Sequence, residues 1–251
     1  MQPFYIIGNL KQAGSLEYLQ RFAKVLQAAQ HLYSSQQVIL LPPVTHLQAT
    51  VKLFESSGCL AGAQMVDGAN SIACTGLYNA DMVADVGGSF VLVGHSERRA
   101  LGDNSAQLRL QYRQAVCAGL TPILCVGESY AERTAGQTEA VIDQQLSAIF
   151  AAKDFAQLPK HDIVIAYEPV WAVGAGQAAR TNDVTNVFKQ INARINVIDK
   201  FARKALCYGG SVNEKNAAHF AQLEYVSGLL IGRVSLEIDR FMGVIKACNG
   251  F

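Results

Sequence analysis

Apolar residues along the chain gather into short, nearly unbroken runs rich in Val, Ile and Leu, separated by longer stretches in which apolar positions recur at helical spacing. The runs cover residues 4–8, 38–41, 60–64, 90–93, 121–125, 163–167, 205–208 and 228–231. Continuous rather than alternating apolar character predicts strands covered on both faces, as in a parallel sheet. The intervening stretches 15–30, 105–118 and 138–152 are amphipathic and predict helices that coat the sheet. Helix starts are expected at Thr181, followed by Asp183, and at Ser235, followed by Glu237. A hydroxyl there would accept from free N–H groups while the acid faces the positive helix end. Eight such units predict an α/β fold, a single closed (β/α)8 barrel of parallel strands with outer helices. A doubly wound sheet with extra elements is the alternative. No Pro/Gly/Ser linker or composition shift divides the chain, so residues 1–251 are read as one domain.

Composition narrows the function classes. Half of the 251 residues are apolar, enough for a sizeable core, and 21 basic against 20 acidic residues leave a net charge of +1. Without a basic tract, nucleic acid and anionic membrane are not expected partners, and any anion must be held locally. Cys59, Cys74, Cys117, Cys125, Cys207 and Cys248 form no CxxC pair and no zinc or disulfide spacing; they read as reduced thiols of a cytoplasmic protein. The first apolar run lacks the basic start and the length of a signal peptide, and no 18 consecutive apolar residues occur.

Chemistry-bearing residues fall just after the predicted strands, where a barrel gathers its catalytic loops. Asn9 and Lys11 follow the first run, His95, Ser96 and Glu97 the fourth, and Glu168 the sixth. Gly209, Gly210 and Ser211 follow the seventh run, and Gly232 and Arg233 the eighth, where barrels commonly bind phosphate through backbone N–H groups. Singly, each has a bland explanation: a solvated charge, a hydrogen-bonded histidine, a tight turn. Their joint placement favours one shared mouth.

These segments resemble triosephosphate isomerases from Gly8 to Ser235. The resemblance rests on Gly8-Asn9-Leu10-Lys11, Val93-Gly94-His95-Ser96-Glu97-Arg98-Arg99, Cys125-Val126-Gly127-Glu128, Ala166-Tyr167-Glu168-Pro169-Val170-Trp171-Ala172-Val173-Gly174 and Tyr208-Gly209-Gly210-Ser211-Val212. It implies a TIM barrel that interconverts dihydroxyacetone phosphate and D-glyceraldehyde 3-phosphate in glycolysis and gluconeogenesis, with no cofactor and no metal. Glu168 would be the base, and His95 a neutral imidazole polarising the carbonyl from a helix start. Lys11 and Asn9 would stabilise the oxyanion, and Glu97 would position Lys11 or exchange protons near His95. Phosphate would be held by Asn9, Lys11, Gly174, Ser211, Gly232 and Arg233. Cys125 would pack beside the base as an inert thiol, and the segment 169–176 would close over the phosphosugar. The resemblance also implies a homodimer in which the loop from Met65 through Thr75 to Asn79 reaches the partner subunit's active site.

The chain departs from the family pattern in places. The closing loop's exit reads Gly174-Ala175-Gly176-Gln177-Ala178-Ala179 where Gly-Thr-Gly-Lys-Thr-Ala is usual, so altered opening kinetics are expected. Arg233 replaces a second glycine; its side chain either adds charge to the phosphate rim or points idly to solvent. Leu10 stands where tryptophan is common. Leu77 and Asn104 stand where glutamates often meet an interface arginine, and Asp103 is a candidate substitute partner for Arg98 or Arg99. Two other readings use the same scaffold: a phosphosugar-binding protein with little catalysis, and another phosphate-binding barrel of amino-acid biosynthesis. The first would not need Glu168 and His95 together; the second would lack the His-Ser-Glu-Arg-Arg string.

Overall fold

In a computed structural model, which describes residues 3–69, 73–172 and 178–251, each apolar run is a strand. They are β1 (Phe4–Asn9), β2 (Gln36–Leu41), β3 (Leu60–Ala63), β4 (Phe90–Val93), β5 (Thr121–Val126), β6 (His161–Tyr167), β7 (Phe201–Tyr208) and β8 (Gly228–Ile231). Each pairs in parallel with the next, and β8 pairs with β1 to close the barrel. Side chains alternate between two apolar environments. Tyr5, Ile7, Ile39, Leu41, Leu92, Ile123 and Val164 fill the barrel interior, while Ile6, Leu40, Val91, Val93 and Ile165 pack outward against helices. That double burial is why the runs carry no polar alternation.

The helices are α1 (Leu16–Ala28), α2 (Leu47–Phe54), α3 (Ala80–Asp85), α4 (Ser96–Ala100), α5 (Ser105–Cys117), α6 (Tyr130–Thr134), α7 (Thr138–Phe150), α8 (Thr181–Asn196), α9 (Ala217–Ala221) and α10 (Ile238–Ala247). Ser15 caps α1 by accepting from the Tyr18 N–H at 3.1 Å, and Asn104 closes a capping box with Gln107 at the start of α5.

The edges differ from the sequence reading in physically explicable ways. β2, β6 and β7 begin earlier than their apolar runs, because polar residues at the bottom of the barrel find side-chain partners. Gln36 donates to the Ile245 carbonyl at 3.1 Å, and His161 Nε2 meets the Tyr112 hydroxyl at 2.8 Å. β3 stops before Gln64, whose amide is used elsewhere. Two expected caps are corrected. Thr181 is already the first residue of α8 and the capping position is Arg180, which makes no side-chain cap bond; Asp183 does lie in the first turn, paired with Arg133 and Arg180. Ser235 caps nothing: it lies in the 3-10 turn Arg233–Leu236, and α10 starts after Glu237. Its hydroxyl donates instead to the carbonyls of Gly232 at 2.6 Å and Asn9 at 3.1 Å.

Candidate active site

Parallel closure brings the ends of all strands to one mouth, and the βα segments there build a cavity of about 480 Å3. Asn9, Lys11, His95, Glu168, Ser211, Gly232 and Arg233 all line it. Glu97 stands behind this wall, in contact with Lys11, and Gly174 lies outside the described residues.

Glu168 follows β6, and its N–H still pairs with the Val126 carbonyl of β5 at 2.8 Å, so the strand carries its backbone to the rim. The carboxylate is almost fully buried. One oxygen lies 3.2 Å from His95 Nε2, and the other accepts from the Ser96 N–H, at the N-terminus of α4, at 3.4 Å. Gly127 makes room for this: a Cβ there would collide with the Glu168 carbonyl oxygen and stand 2.6 Å from its carbon.

His95 is the capping residue of α4, and its Nδ1 accepts from the Glu97 N–H at 3.2 Å. An amide can only donate, so the neutral ring carries its proton on Nε2, aimed at Glu168 and the cavity. Burial pulls the imidazole pKa down, but the Glu168 carboxylate, aided by Glu97, pulls harder and leaves it above its ordinary value. Engagement of Glu168 by another group would move the imidazole pKa back down, toward the neutral ring that the resemblance implies. Glu168→Gln is expected to lower the His95 pKa in an NMR titration; a pKa unchanged by that substitution would mean the carboxylate does not sit beside the ring in solution.

Lys11 adopts the left-handed region at φ 52°, unusual for a residue with a side chain. Its N–H donates to Asn9 Oδ1 at 2.9 Å, and its carbonyl accepts from Gln64 Nε2 at 2.7 Å, while the same amide reaches the Leu41 carbonyl at 2.9 Å. These bonds hold the strained turn that sends Nζ over the cavity, where it meets the Glu97 carboxylate.

Beside Lys11, whose Cε is 3.6 Å from where a Gly232 Cβ would stand, Gly232 opens the short turn after β8, and Gly209-Gly210-Ser211 leave β7. Gly210 has no alternative residue: any Cβ would strike the Tyr208 hydroxyl. That hydroxyl accepts from the Ala179 N–H at 3.0 Å, and Ser211 Oγ donates to the Ala172 carbonyl at 2.6 Å. The two bonds hold the flanks of segment 173–177, which is outside the described residues and includes Ala175 and Gln177. Of the cations on the cavity wall, Lys11 pairs with Glu97 and Arg240 with Glu214 and Glu237; Arg233 is exposed and has no acidic partner among the described residues.

Cys125 is wholly buried, and burial followed by the nearby Glu168 charge pushes its thiol well above the usual range, so it stays protonated. Arg99 donates to the Gly94 and Cys125 carbonyls at 2.7 and 3.0 Å, and Arg98 makes a two-pronged bond to Asp103. Sequence reasoning assigned no role to Gln64, Tyr208 or Glu128. Glu128 is fully buried and accepts from the Tyr167 hydroxyl and, at 3.0 Å, from Trp171 Nε1, with Arg133 3.7 Å away. It thereby seats the residues on both sides of Glu168. The only signal for it was its place at the end of the Cys-Val-Gly-Glu string.

Known proteins show the same arrangement of sequence and fold. The family model described as triosephosphate isomerase matches residues 4–248. The triosephosphate isomerase of Thiobacillus denitrificans is 38% identical over 250 residues, covering 98% of this chain and 99% of that protein. That of Xylella fastidiosa strain M12 is 39% identical over 251 residues, with 98% and 99% covered. The crystal structure of triosephosphate isomerase from Bartonella henselae superimposes with a TM-score of 0.83 at 31% identity, covering 98% of this chain and 99% of that one. The chain thus belongs to the triosephosphate isomerase family, intramolecular aldose–ketose isomerases built on the (β/α)8 barrel.

Proposed function

We propose that this isomerase interconverts dihydroxyacetone phosphate and D-glyceraldehyde 3-phosphate by moving one proton between adjacent carbons through an enediolate. The observation that carries the reading is the buried Glu168 carboxylate 3.2 Å from His95 Nε2, on a wall shared with Lys11. Glu168 takes the proton from the carbon beside the carbonyl and returns it to the neighbouring carbon. His95 donates its Nε2 proton to the carbonyl oxygen and recovers one from the adjacent hydroxyl, so the charge never builds fully on one oxygen. Lys11 Nζ and Asn9 offer fixed donors to that oxygen, and Glu97 keeps Lys11 in place.

The phosphate lies next to Asn9 and Lys11 and is held with them by the N–H groups of Gly232 and Arg233, by the Ser211 turn and by Gly174 once segment 169–176 closes and expels water. Purified protein should convert either triose phosphate in a coupled assay, and inability to turn over both would contradict the proposal. Arg233, which has no acidic partner among the described residues, adds side-chain charge at this rim. Arg233→Gly is expected to weaken 2-phosphoglycolate binding several-fold at low salt, with the gap shrinking as salt rises; equal affinities at every salt concentration would leave the guanidinium without a role.

The reaction belongs to glycolysis and gluconeogenesis, and we place the protein in the cytoplasm. The working unit is a homodimer in which loop 65–79, with Thr75 near its tip, reaches the partner subunit's active site. Supporting this, Leu77 on that loop, Met82 and Leu101 are large apolar side chains left half or more exposed. Arg98 already holds Asp103 in its own chain, so the loop can meet its partner through leucine rather than an acid. Sedimentation is expected to give a dimer at micromolar concentration, shifted toward monomer by Leu77→Asp. A monomer at all concentrations would contradict it.

A further inference from the structure

Ser235 is fully buried and lies at a junction of three segments that the reaction needs to keep in register. Its N–H donates to the Gly232 carbonyl at 2.9 Å, and its hydroxyl donates to the same carbonyl at 2.6 Å and to the Asn9 carbonyl at 3.1 Å. Its own carbonyl accepts from the Tyr18 hydroxyl of α1. Asn9 orients the Lys11 backbone, whose side chain is assigned to the carbonyl oxygen as well as to the phosphate, while Gly232 opens the turn assigned to the phosphate alone. A single hydroxyl hydrogen is therefore shared between the carbonyls of the two ends, 226 residues apart in sequence.

We propose that Ser235 is a positioning residue: its hydroxyl, on a backbone braced through its carbonyl by Tyr18, sets the spacing between the phosphate turn and the Asn9–Lys11 segment. This deepens the proposed assignment of the two ends and rests on it. Each end has local bonds of its own: Lys11 is held by Asn9 and Gln64, and the Gly232 turn by the Ser235 N–H. β1 and β8 are paired as far as Gly8 and Ile231, so losing the hydroxyl leaves each end formed but removes the side-chain bond that ties them beyond the last ladder pair. A ligand seated mainly on the Gly232 turn should register this little. A ligand or transition state that spans both should register it strongly, because small misplacements of oriented groups are costly.

The test compares Ser235→Ala with the wild type using inorganic phosphate, seated mainly on the Gly232 turn, and 2-phosphoglycolate, which also reaches the carbonyl subsite, both by calorimetry, together with kcat for isomerisation. We expect phosphate affinity within about threefold of wild type, 2-phosphoglycolate weakened about tenfold or more, and kcat lowered about tenfold or more. Ser235→Thr, which keeps the hydroxyl, should recover most of both losses, and Tyr18→Phe should reproduce part of them. Parallel weakening of both probes would reduce Ser235 to a merely structural residue, and 2-phosphoglycolate affinity within twofold of wild type would overturn the proposal. Should Ser235→Ala fail to fold, Tyr18→Phe and Ser235→Cys carry the same comparison. The calorimetry does not depend on turnover, so a protein that binds both probes as expected yet isomerises nothing would refute the reaction and not the positioning role.

Discussion

Replacing Glu168 by glutamine is expected to lower kcat on the order of a thousandfold or more while 2-phosphoglycolate still binds. The substitution keeps the shape and one hydrogen-bonding oxygen, so the contact with the Ser96 N–H can persist; what disappears is the ability to accept a proton from carbon. Binding survives because the Gly232–Arg233 turn and Ser211 follow other strands, and glutamine leaves the backbone of segment 169–176 unchanged. The two readouts separate the proposed chemistry from its scaffold. A Glu168→Gln enzyme with near-wild-type kcat would remove the base from the mechanism, whereas loss of phosphoglycolate binding would mean the carboxylate holds the pocket together.

Gly127→Ala is expected to damage both stability and rate, although residue 127 carries no functional group. A methyl there meets the carbonyl carbon of Glu168 at 2.6 Å and collides with its oxygen. Backbone cannot rotate away as a side-chain tip would, so the end of β5 must part from the end of β6. Overpacking of this kind costs about 1–3 kcal/mol, readable as a lowered urea midpoint. A displacement of the base by about 1 Å costs on the order of a hundredfold in kcat. The same shift would loosen Glu128 from Tyr167 and Trp171, coupling the damage to the segment that follows the base. Wild-type kcat in Gly127→Ala would show that the positions of the two strand ends do not govern the geometry of Glu168.

The strands were legible because a strand covered on both faces must be apolar throughout, and nothing else in this chain produces eight short runs at such spacing. Their polar beginnings were not legible: Gln36 and His161 look like loop residues until Ile245 and Tyr112 are seen to satisfy them. The convergence of Asn9, Lys11, His95, Glu168, Ser211, Gly232 and Arg233 on one cavity follows from parallel closure, which the βα repeat already implied. What the sequence concealed were long-range hydrogen bonds. Gln64 reads as the last residue of a strand, yet it braces Lys11 from 53 positions away. Ser235 reads as a helix cap because a serine two residues before an acid looks like one, yet its hydroxyl serves two carbonyls. Side-chain bonds across such separations leave no periodicity behind them. The upward pull on the His95 pKa was hidden for a related reason: the helix start argues for a lowered pKa, while the opposing carboxylate belongs to another strand.

The most direct measurement is the isotopic content of product formed in deuterium oxide. A carboxylate that takes a proton from one carbon and returns it to the next can exchange it with solvent in between, so the account predicts deuterium on the carbon that receives the proton in a fraction of the product. Product with no deuterium at that carbon, formed at a rate that Glu168→Gln leaves unchanged, would contradict it, because the hydrogen would then pass between the carbons without the carboxylate.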